Sequence, residues 1–121
     1  MTTLTETGHA GGFLLSEANG SRSRDVVTIV SGQNLKAGAV LGKISASGKY
    51  KAYDNGAGDG SQAAAAILFD DVDASGGDKT ATAIVRDAEV NKNELVYAVG
   101  QDQTSKDASV VDFAALGILV R

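Results

Sequence analysis

Short apolar runs broken by turn residues set the pattern of this chain. Val26-Val27-Thr28-Ile29-Val30 is β-branched and predicts a buried strand. Ala39-Val40-Leu41-Gly42-Lys43-Ile44 predicts the next, with Gly42 marking either a bulge or a close backbone approach. Tyr50-Lys51-Ala52-Tyr53 alternates and is read as a strand with both tyrosines on one face. Ala64 to Phe69 is apolar throughout, and its small residues imply tight packing on both sides. Thr80 to Val85 alternates again, and Leu95 to Val99 and Gly117 to Val120 complete the strands. A helix is predicted where Val110, Phe113 and Ala114 fall at i, i+3 and i+4. Ser105 or Asp107 would cap its start, and Gly117 would close it in a left-handed conformation. Asn91 and Glu94 fit a capping-box variant for a single helical turn ahead of Leu95. These elements predict an α/β, β-rich small single domain of short strands with one or two short helices.

Residues 1–24 break the pattern. One apolar knot, Phe13-Leu14-Leu15, stands among polar and small residues, and no strand or helix period persists. The segment predicts an extended, flexible N-terminal arm, with the compact domain spanning 25–121. Three large apolar residues on an arm are unfavourable unless covered, so the knot either folds back on its own domain or binds a partner. The second option is favoured, because a chain short of core aromatics places Phe13 outside the domain; extended segments of this kind commonly add a strand to another sheet. Arg22-Ser23-Arg24 is either a solvated hinge or an electrostatic contact to an acidic neighbour.

Composition sharpens the exclusions. Proline is absent and glycine numbers 15, against an average glycine usage of about 7%, so turns fall to Gly, Asn, Asp and Ser. Of the large apolar types, aromatics make up only 5% of the chain, which leaves a thin core that partner subunits would help to stabilise. Without cysteine there are no disulfides, thiolate metal sites or cysteine nucleophiles. The single histidine, His9, makes histidine-dependent catalysis improbable. A net charge of −4 argues against a general nucleic-acid binder. The longest apolar run, Ala63 to Phe69, is too short for a membrane span, and Met1 to His9 lacks the features of a secretory signal.

Candidate chemistry does not survive its spacing. Gly38 to Ile44 has the glycines of a phosphate loop one residue too close and Ile44 where Ser or Thr would hold magnesium. Gly56-Ala57-Gly58-Asp59-Gly60 lacks the flanking strand and helix of a dinucleotide fingerprint. Asp54, Asp59, Asp70, Asp71, Asp73 and Asp78 crowd two loops but miss the calcium-loop pattern. Asn19-Gly20-Ser21 is a formal glycosylation sequon best read as a turn. No catalytic, cofactor-binding or metal-ligating residue is assigned, and the chain does not read as an enzyme.

Several stretches together resemble the lambda-type head decoration proteins of tailed bacteriophages. They are Gly11-Gly12-Phe13-Leu14-Leu15-Ser16-Glu17-Ala18-Asn19-Gly20, Ser23-Arg24-Asp25, Ser31 to Ile44, Lys49-Tyr50, Tyr53-Asp54, Asp59-Gly60-Ser61-Gln62 with Ala64 to Leu68, Arg86 to Val90, Leu95, and Leu116 to Arg121. Each is weak alone; their order along nearly the whole chain carries the resemblance. It implies a non-enzymatic virion protein without cofactors, made in the host cytoplasm. Such a protein is a homotrimer on the outer surface of the expanded head, at threefold and quasi-threefold positions. There it clamps neighbouring major capsid protein subunits against internal DNA pressure, with no direct nucleic acid or membrane partner. The arm matches the family's capsid-contacting region. Phe13, Leu14 and Leu15 are therefore the expected contact residues, with Arg22 and Arg24 beside them, and the trimer interface is left unassigned. Phe13→Ala with Leu15→Ala is expected to weaken shell binding and leave the trimer folded.

The competing reading is a small β-barrel or β-clip module binding a carbohydrate or other ligand, since Asn34 to Leu41 also resembles the strand entry of such domains. A biotin or lipoyl carrier would need its lysine at a hairpin tip; Lys43 and Lys49 are nearest, without the expected neighbours. A carboxylate hydrolase is the third class.

Overall fold

The computed structural model describes residues 11–18 and 23–121. His9, Arg22 and the Asn19-Gly20-Ser21 turn lie outside the described residues. The chain runs β1 (Leu14–Glu17), β2 (Arg24–Ile29), β3 (Asn34–Leu35), β4 (Val40–Lys43), β5 (Tyr50–Ala52), β6 (Ala64–Leu68), β7 (Val72–Asp73), β8 (Lys79–Ile84) and β9 (Ala88–Val90). A 3-10 turn over Lys92–Glu94, helix α1 (Gln103–Ala115) and β10 (Ile118–Val120) follow. The domain is small, mostly short strands with one α-helix, as the turn-rich pattern implies.

Five strands close into a barrel in the order β2-β5-β4-β6-β8. Alternation along its walls sends side chains to two separate cores. Val27 and Ile29, Leu41, Tyr50, Ala66 and Leu68, and Ala81 and Ala83 come from all five barrel strands and fill the interior. Their neighbours Val40, Ile67 and Ile84 point outward into a second cluster with Phe13, Tyr53, Ala88, Val90, Phe113 and Ile118. That outer core is covered by α1 and by a three-stranded sheet in the order β1-β9-β10. The wholly apolar run at β6 is explained by this division, because both of its faces are buried.

Gly42 combines the two roles expected of it. The β4–β6 register shifts between Leu41 and Gly42, where Ala66 and then Ala64 are the partners, so Ala65 is the extra residue of a bulge. The bulge inverts the alternation, which is why Ala64 joins the outer core while Ala66 lies inside. A Cβ on Gly42 would also sit 2.6 Å from the Ser61 Cα.

Four local expectations need correction, the last of them the helix cap. Tyr50 and Tyr53 do not share a face: residues three apart in a period of two point oppositely, and Tyr50 borders the barrel core while Tyr53 is fully buried in the outer one. Leu95 to Val99 is not a strand. It makes one isolated parallel bridge between Val96 and Ala39, and Val99 stands wholly exposed. In α1 the buried stripe is Ser105, Ser109 and Phe113, whereas Val110 and Ala114 face outward. Counting apolar residues missed it because two of its three members are serines. Ser109 Oγ donates to the Lys106 carbonyl at 2.6 Å and meets the Tyr97 hydroxyl at 2.7 Å. The Tyr53 hydroxyl donates to the Ser105 carbonyl at 2.8 Å.

The helix is capped by Asp102, whose Oδ1 accepts from Ser105 N at 2.9 Å, and not by Ser105 or Asp107. Gly117, with φ +80, closes its far end in the left-handed conformation. Asn91 caps the 3-10 turn by accepting from Asn93 N at 3.0 Å.

Candidate interaction surface

The N-terminal knot is divided by its own geometry. Gly11 donates its N–H to the Phe69 carbonyl at 2.8 Å, and Leu14 N closes a tight turn onto the Gly11 carbonyl at 3.0 Å. Gly11 holds φ +66, and a Cβ there would meet the Phe69 ring at 2.7 Å. The turn drives Phe13 into the outer core, where it is 2% exposed, and its carbonyl accepts from Asn91 N at 2.8 Å. Leu14 lies opposite Val90 at the margin of that core. Leu15, at the register shift of β1 on β9, remains 54% exposed. One apolar triplet thus supplies an anchor, a flank and an outward contact.

The described basic residue of the arm is engaged at home. Arg24 grips Glu17 with two bonds, Nη2 to Oε1 at 2.5 Å and Nε to Oε2 at 3.0 Å, and its guanidinium lies 4.3 Å from the Phe69 ring centroid. Ser23, fully buried, donates to the same carboxylate. The Arg24 bonds, then that of Ser23, hold the Glu17 carboxyl below its usual range. A paired, fork-to-fork geometry of this kind fixes position as well as charge. It fastens the end of β1 to the start of β2. Arg22, the other expected contact, lies outside the described residues.

The structure therefore gives the expected residues four different placements: Phe13 inside the outer core, Leu14 at its margin, Leu15 outward, and Arg24 bound to Glu17. Across the β1-β9-β10 sheet, Ser16, Glu89 and Leu119 stand in register, with Leu119 44% exposed and Arg121 Nε paired to Glu89 at 2.9 Å. Helix α1 adds Val111, 71% exposed, to the outward apolar positions. Composition gave no signal for Leu119 or Val111, because exposure there is decided by which face the neighbouring elements cover.

Cavities are open and shallow. A groove of about 460 Å³ runs between α1 and the chain before it, lined by Lys92, Tyr97, Lys106, Val110 and Val120 among others. No group of three or more metal-ligating side chains converges among the described residues. The buried serines are all spoken for: Ser61 Oγ, for example, donates to Asp59 Oδ1 at 2.6 Å, and its bonds lower the Asp59 carboxyl to about 2. Lys49 follows the turn joining β4 and β5, and its ammonium is paired to Asp78 at 2.6 Å. Chemically, this surface offers shape, exposed aliphatics and fixed ion pairs.

A family model described as the bacteriophage lambda head decoration protein D matches residues 3–118. No curated protein matches the chain.

Proposed function

This chain belongs to the bacteriophage lambda head decoration protein D family, a family of structural phage capsid proteins, and from that premise we propose how it acts. It is a trimeric cementing protein that binds the outer surface of the expanded head at threefold and quasi-threefold sites. It clamps adjacent major capsid protein subunits against DNA pressure, with capsid contact made through residues 1–24.

The observation that supports the arm reading is the fastening of its base. Phe13 is seated in the outer core and the Glu17–Arg24–Ser23 cluster locks the strand that follows. A segment entering at Gly11 is thereby tethered to a rigid body, and tension on it is passed to the barrel. Leu15, Arg22 and residues 1–10 take the capsid contacts, while Phe13, Leu14 and Arg24 hold the base. Ordering such a segment costs about 1–2 kcal/mol per residue in backbone entropy. Three arms on one trimer offset this, since the second and third dock at high effective concentration.

The ligand-module reading gains only its barrel, because the interior is filled by Ile29, Leu41, Leu68 and their neighbours.

Co-sedimentation with expanded, DNA-free heads tests the proposal. The comparison is the full chain against a chain beginning at Gly11, which keeps Phe13 and β1. Binding by the full chain alone is expected. Equal binding by both moves the contact into the folded domain, and no binding by either to a matched shell overturns the decoration role.

A further inference from the structure

We propose that Asn55 is a site of spontaneous modification, its side-chain amide cyclising onto the Gly56 nitrogen, and that Asp54 and Gln101 act as the brake on that reaction. Asparagine is a thermolabile residue, and the reaction needs a successor small enough to let the backbone nitrogen reach the side chain. Among the described asparagines, Asn34, Asn91 and Asn93 are followed by Leu35, Lys92 and Glu94, and the Asn91 Oδ1 is committed to its cap. Asn55 is followed by glycine, both residues are exposed, and no described residue bonds the Asn55 side chain. A Cβ at Gly56 would meet nothing nearer than Asp54 Oδ1 at 3.5 Å, so the approach is open.

The atoms balance without an oxidant or cofactor. The Gly56 nitrogen attacks Asn55 Cγ, a new C–N bond forms, and the carboxamide C–N bond breaks. Ammonia leaves, carrying away the equivalent of the Gly56 N–H proton. Water then opens the cyclic imide at either carbonyl, giving aspartate or isoaspartate. The second product lengthens the main chain between Asp54 and Gly56.

Opposing this, the nucleophile is tied down. Gly56 N donates to Asp54 Oδ1 at 2.9 Å, and the Asn55 N–H donates to Gln101 Oε1 at 3.1 Å. Gln101 Nε2 reaches the same Asp54 oxygen at 3.3 Å, so one side chain beside α1 secures both residues. The imide cannot form until the Gly56 N–H leaves Asp54, and an exposed hydrogen bond of this strength slows the step by about 2- to 10-fold.

The test ages the full chain in mildly alkaline buffer and reads intact mass, with peptide mapping and isoaspartate detection to separate Asn55 from Asn19. Parent, Asp54→Ala, Gln101→Ala and Asn55→Gln are compared, with circular dichroism to establish that each is folded. The expected result is product at Asn55 in the parent, formed 2- to 10-fold faster in Asp54→Ala and faster in Gln101→Ala, and none at that position in Asn55→Gln. Product confined to Asn19, or folded clamp variants no faster than the parent, overturns the proposal.

Discussion

Replacing Phe13 by alanine separates anchoring from binding. Phe13 is 2% exposed and packs in the outer core with Tyr53, Ile67, Phe113 and Ile118. Truncating a buried phenylalanine costs about 3–5 kcal/mol through lost transfer energy and the cavity left behind. A domain of this size has about 5–15 kcal/mol in total, so the variant loses a large share of its stability, and its Tm falls by about 10 °C or more. Leu15→Ala, at a residue 54% exposed, stays within about 0.5 kcal/mol of the parent. Urea unfolding followed by far-UV circular dichroism gives both values from midpoint and slope. The sequence alone led to a different expectation, that Phe13→Ala with Leu15→Ala weakens shell binding and leaves the trimer folded, with no stability loss assigned to Phe13. A Phe13→Ala midpoint equal to that of the parent would refute the anchoring argument and restore that expectation.

Three further outcomes follow from the same geometry. Gly42→Ala forces a Cβ to within 2.6 Å of the Ser61 backbone, and overpacking of this kind destabilises by about 1–3 kcal/mol; an unchanged chemical-denaturation midpoint would contradict the close approach. Asp102→Ala removes the cap on Ser105 N and costs about 0.5–2 kcal/mol, seen as faster amide exchange in the first turn of α1. Asp59 titrates at about 2 instead of 3.8, chiefly through its Ser61 bonds. A depressed carboxyl contributes stability that is present above its unfolded value and lost as pH falls from about 4 through 2. Carbon-detected NMR titration should find that midpoint, and Ser61→Ala should return it toward the ordinary range; a parent midpoint already at the ordinary value would defeat the assignment.

Legibility followed the range of the interactions involved. The Gly117 stop, the Asn91-capped turn and the strands at Ala64 and Thr80 depend on residues within a few positions of one another, and each was readable. The serine stripe of α1 was not, because Ser109 is buried by a bond to Tyr97, on another element. The strands β3, β7 and β9 are two or three residues long and have no period to detect; pairing with distant partners creates them.

The sequence by itself determined a small β-rich domain, its turn chemistry, the absence of cysteine and so of thiol chemistry, and an ordered series of segments sufficient to point to the family. Those features are local or compositional, and no partner across the fold can revoke them. Tertiary structure alone decided that the chain builds two cores instead of one, that Phe13 belongs inside and Leu15 outside, and that Arg24 is held by Glu17. Each of these depends on contacts between residues far apart in the chain. Burial is a property of what covers a side chain, and the covering elements here, α1 and the β1-β9-β10 sheet, exist only once the barrel has given them a surface to cover.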